Sequence, residues 1–373
     1  MGFFTTTVYN REGNKETQMS TFKAFIFIFS GIFFLSCQSN NSCLSISSEV
    51  IEKAIKLFPE DTLFHTEYLY VDMYVLEDSL ILGYKNTSKL RKGQGVFDVY
   101  NLNRNKIENS FLPFGNFGSP FLSGTIYHCE DLLLAHEFIS KILYFIPLTK
   151  EVLRAGYSPQ AIDFPDLSQR LHTFNGIILK QNPYHYIDKE GHSLNKNTVR
   201  LLYSGEDQAN AEHLIDCFNV SQGHIGVKSD MSRIVYVDAN QRRIEFYDKE
   251  LNLIKVVLGP GIDNYELDIH NMYNKYKEAI YVGFVPESFV DIAYDDGYIY
   301  TAFTGRAKCN DEDRECFATF IIKLDWDGDF IESFQVNSYV KTMNLSNDGE
   351  TLFVYGQDNK TDYSVVSYKL KNS

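Results

Sequence analysis

The sequence predicts an all-β fold, a six-bladed β-propeller made mostly of four-stranded antiparallel blades. Three observations carry this expectation. A phrase recurs along the chain: a Tyr/Ile/Leu-rich strand after an Asp-containing turn, a gap, then a second strand ending in a short polar turn. Its clearest copy runs Gly226-Val-Lys-Ser-Asp-Met-Ser-Arg-Ile-Val-Tyr-Val-Asp238, then Arg243-Ile-Glu-Phe-Tyr-Asp248, then Leu251-Asn-Leu-Ile-Lys-Val-Val257. Self-similarity on this scale means stacked sheets. Aromatic residues make up 15% of the 373 residues, with 29 Phe and 25 Tyr against one Trp, a composition that suits half-buried pleated strands. The turns are built from Asp-Gly and Asn-Asp-Gly, which tolerate positive φ in tight hairpins.

Six units follow in order. The first pairs Tyr70-Val-Asp-Met-Tyr-Val75 and Ser79-Leu-Ile-Leu-Gly-Tyr84 with Val96-Phe-Asp-Val-Tyr100. The second uses Ile126-Tyr-His-Cys129, Leu132-Leu-Leu-Ala135 and Ile142-Leu-Tyr-Phe-Ile146. The third, the least regular, takes Gly176-Ile-Ile-Leu179, Tyr184-His-Tyr-Ile187 and Thr198-Val-Arg-Leu-Leu-Tyr203. The fourth is the clear copy. The fifth joins Phe289–Tyr294, Tyr298–Phe303, Thr319–Leu324 and Phe330–Phe334, turning at Asp295-Asp-Gly297. The sixth joins Thr342–Leu345, Leu352–Tyr355 and Tyr363–Leu370, turning at Asn347-Asp-Gly349. Their strands alternate or run continuously apolar because a blade is covered by neighbours on both faces. Residues beyond a usual blade length fall into loops, chiefly Gly259–Lys277 and Gly305–Phe317. The sixth unit lacks a fourth strand, and the segment Leu44–Leu57 is expected to supply it and close the ring. Ser48–Leu57 also reads as a short amphipathic helix with a Ser cap; the strand is the preferred reading.

These hairpin units, with Leu112-Pro-Phe-Gly-Asn-Phe-Gly118 and Leu258-Gly-Pro-Gly261 after outer strands, resemble the six-bladed TolB-like and NHL-like propeller lipoproteins of Bacteroidetes. The resemblance covers nearly the whole chain after its leader. It implies a fold and a cell-envelope compartment rather than a reaction.

The N-terminus reads as an address. Ala24–Leu35 is a 12-residue apolar run after Lys23, too short to span a bilayer but right for a signal-peptide core. Leu35-Ser36-Cys37 and the polar stretch after it resemble the lipobox of bacterial lipoproteins, with Phe34 where Leu is usual. That resemblance implies an acylated Cys37. The organisation expected is a signal peptide over 1–36, whose true start is Met1 or Met19, a lipidated tether over 37–47, and the propeller over 48–373. No acidic residue follows Cys37 until Glu49, which favours a lipid-anchored, periplasm-facing protein, for instance on the outer membrane, over a surface-exposed one.

A formal charge of −14 with no Lys/Arg cluster argues against nucleic-acid binding. The metalloprotease, hydrolase-elbow and phosphate-loop motifs are absent; His136-Glu137 lacks a second His four residues on. No cofactor or metal site is expected, and Asp325-Trp-Asp-Gly-Asp329 reads as a polar hairpin turn rather than a calcium loop. Cys309 and Cys316 bracket a very polar loop; they form a disulfide in an oxidising compartment or are two small residues at strand ends. The candidate ligand-binding patch is Tyr184, His185 and Tyr186 with Tyr265, His270, Tyr273 and Tyr276, because Tyr and His present amphipathic surfaces to sugars and peptides. The function expected is a lipid-anchored binding or scaffolding module for a protein, peptide or glycan. The alternative is an extracytoplasmic hydrolase or lyase with its site at the channel mouth. Carboxylates or histidines gathered within about 6 Å there favour the enzyme, since catalytic groups must reach one reacting centre.

Overall fold

The computed structural model describes residues 42–66, 69–76, 79–86, 90–113, 124–129, 132–137, 142–154, 156–163, 171–174, 177–181, 184–186, 201–203, 214–216, 223–250, 252–261, 267–272, 276–282, 286–307, 319–357 and 363–370. The chain opens with β1 (Ser42–Ser45), the short helix α1 (Glu49–Glu52), β2 (Ile55–Lys56) and β3 (Asp61–His65). A first blade follows: β4 (Tyr70–Leu76), β5 (Leu80–Lys85), β6 (Gly95–Asn101) and β7 (Lys106–Pro113). The second blade is β8 (Gly124–Cys129), β9 (Leu132–Glu137), β10 (Ile142–Pro147) and β11 (Gln160–Asp163).

Next come β12 (Leu171–Phe174), β13 (Ile177–Gln181), β14 (Tyr184–Tyr186), β15 (Leu201–Tyr203) and β16 (Leu214–Asp216). The third regular blade is β17 (Gly223–Val227), β18 (Ile234–Asp238), β19 (Arg243–Tyr247) and β20 (Leu253–Leu258). After β21 (Leu267–Met272) and β22 (Tyr276–Tyr281), the fourth blade is β23 (Pro286–Tyr294), β24 (Tyr298–Ala307), β25 (Thr319–Asp325) and β26 (Phe330–Val336). The fifth holds β27 (Tyr339–Leu345), β28 (Thr351–Gln357) and β29 (Tyr363–Lys369).

The architecture is an all-β propeller, with five regular blades instead of the six expected. The described residues form seven sheets, and two of them break the repeat. One has order β12-β13-β15. The other, β14-β16-β22-β21, draws strands from both sides of the third regular blade in sequence. The expected third unit therefore divides between two sheets. The stretch assigned to a loop at Gly259–Lys277 contains β21, whose Leu-Asp-Ile-His-Asn-Met alternation is the period of a strand.

The middle strands are the most buried, β5, β18 and β19 at every residue, because each blade is sandwiched by its neighbours. Outer strands such as β7 and β20 are exposed over their first residues. Apolar seams fill the gaps between blades. Leu82, Phe97 and Val99 meet Leu133, Ala135 and Ile146 between the first and second blades. Val235, Val237 and Phe246 meet Phe289, Phe303 and Ile322 between the third and fourth. Ala302, Ile321 and Phe334 meet Met343 and Val354 between the fourth and fifth. Each such side chain contributes about 1.5–3 kcal/mol on burial. The turns follow the Asp rule. Asp295 Oδ1 accepts from the N–H of Gly297 and Tyr298, both at 2.7 Å, and Asp325 Oδ1 from Asp327 at 3.0 Å and Asp329 at 2.8 Å.

The N-terminal segment runs along the outer edges of three successive blades. β1 pairs parallel to β20, β2 parallel to β26, and β3 antiparallel to β29. Closure is thus made by Asp61–His65, and not by Leu44–Leu57 as expected. Glu49–Glu52 adopts the helical alternative, and Ser333 Oγ donates to Val50 O at 2.7 Å. β1 falls within the stretch expected as a tether. Phe64 and Val365 join Tyr70, Met73 and Ile81 in the seam that locks the last blade to the first, where Tyr70 N–H donates to Tyr355 Oη at 3.0 Å. Among the described residues no helix is long and apolar enough to cross a membrane.

Candidate functional site

The inner strands of four blades succeed one another around the ring, β17, β23, β27 and β4. Three of them carry a β-bulge at the same place: between Phe289 and Asp291, Val340 and Thr342, and Tyr70 and Asp72. Bulges re-aim side chains and recur beside functional sites. The residue just past each bulge joins one polar chain. Thr342 Oγ1 lies 2.7 Å from Asp72 Oδ1 and 2.8 Å from Asp291 Oδ2. Asp291 Oδ2 also accepts from Met343 N–H at 2.8 Å, and His224 Nδ1 on β17 stands 3.4 Å from Asp291 Oδ1. Asp72 further accepts from Met73 N–H at 2.9 Å and from the Tyr74 hydroxyl. Asn344 completes the seam, donating to Met73 O at 2.6 Å.

Proton counting fixes the state of this chain. A threonine hydroxyl carries one proton and donates it once. It stands between two carboxyl oxygens, so one of them must supply a proton of its own. Asp291 is that group. Burial, then the neighbouring Asp72 carboxylate, push its carboxyl up to about 8, against the hydrogen bonds from Met343 and Thr342 that favour its ionised form. At neutral pH the direction is Asp291 O–H to Thr342, and Thr342 O–H to Asp72. A neutral acid, a carboxylate and an imidazole thus occupy one place, but the carboxyl oxygens are already engaged by donors from the protein. Only 13% of the Asp291 side chain and 21% of His224 is exposed.

The residues expected to form a ligand patch lie elsewhere. Tyr184, His185 and Tyr186 form β14, and His270 is on β21, at opposite edges of one sheet. The register aligns Tyr184 with Asp216, Asp216 with Glu278, and Glu278 with His270. At about 4.8 Å per strand, Tyr184 and His270 are roughly 14 Å apart in one transverse row. They share a sheet and are not neighbours. Tyr276 opens β22. Tyr265, Tyr273, Cys37, Cys309 and Cys316 lie outside the described residues. Among the described residues, no group of three or more His, Cys, Asp or Glu is placed to hold a metal ion.

Sequence reasoning missed Asp72, Asp291, Thr342 and His224. A partial signal was present: aromatic-Val-Asp-apolar occurs on the inner strands in Tyr70-Val-Asp-Met73 and Phe289-Val-Asp-Ile292, but also in Tyr236-Val-Asp-Ala239 on the middle strand β18, outside the site.

Neither a family profile nor a curated protein matches the chain in sequence. Among solved structures, it is similar to a DUF4221-family protein from Bacteroides vulgatus, with TM-score 0.50 and 11% identity over 86% of this chain and 99% of that one. It also aligns with U3-55K, with TM-score 0.45 and 10% identity over 84% of this chain and 100% of that one. The first likeness supports the propeller fold and nothing finer.

Proposed function

We propose that this chain is a lipid-anchored propeller of the bacterial cell envelope that binds or scaffolds a protein, peptide or glycan partner. The observation that supports binding over catalysis is the engagement of the axial carboxylates in contacts between blades. Asp72 receives hydrogen bonds from Met73, Tyr74 and Thr342, and Asp291 receives one from Met343 and shares its proton with Thr342, which ties inner strands of different blades together. A catalytic acid or base needs a free position facing the reacting atom; here those positions hold the ring. A rigid ring suits recognition because little ordering entropy is lost on binding. Cys37 as an acylated first residue, and the periplasm-facing address, belong to this reading and rest on the leader sequence. Affinity capture of the mature protein from envelope extract, read by mass spectrometry, tests it. A stable partner that is lost on mutating one propeller face supports it.

A second reading has one specific observation behind it. Asp291 is a carboxyl kept neutral near pH 7 beside His224 and Asp72, the arrangement of a general acid. An extracytoplasmic hydrolase or lyase follows if a substrate displaces the Thr342 contacts. Turnover in a substrate screen that is abolished by Asp291→Asn in a folded protein would establish it.

A further inference from the structure

We propose that the outer rim of the third and fourth blades, around Ile254, Phe330 and Ile331, is a lipid-facing surface that rests on the membrane to which the chain is tethered. The proposal deepens the reading of Cys37 as a lipid anchor and rests on it. β1 begins at Ser42, whose partner on the outer edge of the third blade is Lys255. Lys255 Nζ reaches across to Asp329 Oδ1 of the fourth blade at 2.6 Å. Next to these two residues in the chain come three large apolar residues open to solvent: Ile254 at 37%, Phe330 at 36% and Ile331 at 43% exposure. Leu44 on β1 itself is 39% exposed. The chain from the anchor therefore joins the ring where its outer edge is apolar.

The covalent distance is short. Five residues lead from Cys37 to Ser42, at most about 17 Å of extended chain. The lipid surface cannot be far from Lys255, and one rim of the ring must face it. The acidic turn at Asp325–Asp329 is partly neutralised by Lys255 and by Arg233, whose Nη2 lies 3.0 Å from Asp327 Oδ1. A patch of this size gives little affinity alone, but a short tether turns the contact into an intramolecular event at millimolar effective concentration, on the order of 1 mM. The contact sets the orientation of the ring rather than its attachment.

The single tryptophan, Trp326, lies in the hairpin that leads into Phe330 but is buried, with its Nε1–H donating to Asp295 O at 2.8 Å, so the reporter is placed on the rim itself as Ile331→Trp. Residues 38–373, which keep every described strand, are prepared with an N-terminal hexahistidine tag. They are captured on vesicles of phosphatidylethanolamine, phosphatidylglycerol and nickel-chelating lipid, with and without brominated phosphatidylcholine. The expected result is contact quenching of the Ile331→Trp side chain by the brominated lipid, severalfold above that of the parent, whose Trp326 is buried. It should fall severalfold when Phe330→Ser is added and when the tag is moved to the C-terminus. No quenching, equal quenching from either tag, or a concentration-dependent dimer that buries the same residues would overturn the proposal. Forced capture makes this test independent of acylation. Mass spectrometry of Cys37 from native envelopes tests the anchor separately.

Discussion

Asp72 and Asp291, on inner strands of different blades, bond to the same hydroxyl, that of Thr342. One proton must therefore sit on the pair in addition to the hydroxyl's own. The two residues are 219 positions apart in sequence, and each follows a bulge in its strand. The contact turns three separate blades into one ring, and it makes ring stability a function of pH.

The sign follows from the direction of the shift. Asp291 has a folded-state pKa of about 8, above its unfolded value of about 3.9. Its stabilising contribution is full below about pH 4 and is lost as pH rises through 8. Thermal unfolding should show a melting temperature that declines by several degrees between pH 5 and pH 9. Asp291→Asn, which cannot ionise, should flatten that decline. Asp72→Asn should make it shallower by removing the neighbouring charge. A flat profile in the parent protein would refute the proton assignment.

Ring closure predicts the effect of truncation. β3 gives β29 its outer partner, with Ser364 opposite His65 and Ser367 opposite Asp61. A chain beginning at Leu69 leaves that edge open, and with it the edges of β20 and β26 that β1 and β2 cover, each a template for pairing with other chains. Size-exclusion chromatography should show aggregation, and a synthetic peptide of residues 58–68 should reduce it. A monomeric, cooperatively folding truncation would show that closure lies elsewhere.

The first blade contains a buried ion pair. Lys85 Nζ lies 2.6 Å from Asp98 Oδ1, with the two side chains 5% and 3% exposed. Ser110 Oγ donates to the same oxygen at 2.6 Å, and Tyr70 Oη to Asp98 Oδ2 at 3.3 Å. Burial, then Asp98, drive the Tyr70 hydroxyl well above its ordinary value, so it remains a donor at any physiological pH. Lys85→Met strands a buried carboxylate and should cost about 3–5 kcal/mol in urea unfolding. Lys85→Met/Asp98→Leu should recover most of that loss; an equal loss in the double variant would mean the pair itself stabilises.

Gly328 sits where the fourth blade packs on the third. Its φ is +74°, and a Cβ there would stand 2.8 Å from Phe246 Cε2 in the next blade. Left-handed backbone costs an L-residue about 1–2 kcal/mol, and the clash with Phe246 adds to it. Gly328→Ala should lower the urea midpoint without changing the slope of the transition. An unchanged midpoint would mean the third and fourth blades are loosely packed at this hairpin.

Much of the fold was legible because local chemistry and blade geometry agree. The Asp-led turns, the apolar middle strands and the clear copy at Gly226–Val257 lie where their patterns place them. The unit count failed where the repeat is weakest: β14 and β16 are three residues each, too short for periodicity to identify. Closure by β3 was missed because Asp-Thr-Leu-Phe-His has no strong alternation, and its partner lies some 300 residues away. The axial site was hidden for another reason. An Asp inside an apolar strand is meaningful only once the ring brings it opposite another, and no local pattern reports that.

The most direct test compares Asp291→Asn with the parent for partner capture, hydrolytic turnover and the change in melting temperature between pH 5 and pH 9. The account predicts undiminished capture, no turnover lost, and a smaller fall in melting temperature than in the parent. A folded variant that loses a measurable reaction while keeping its stability would contradict it.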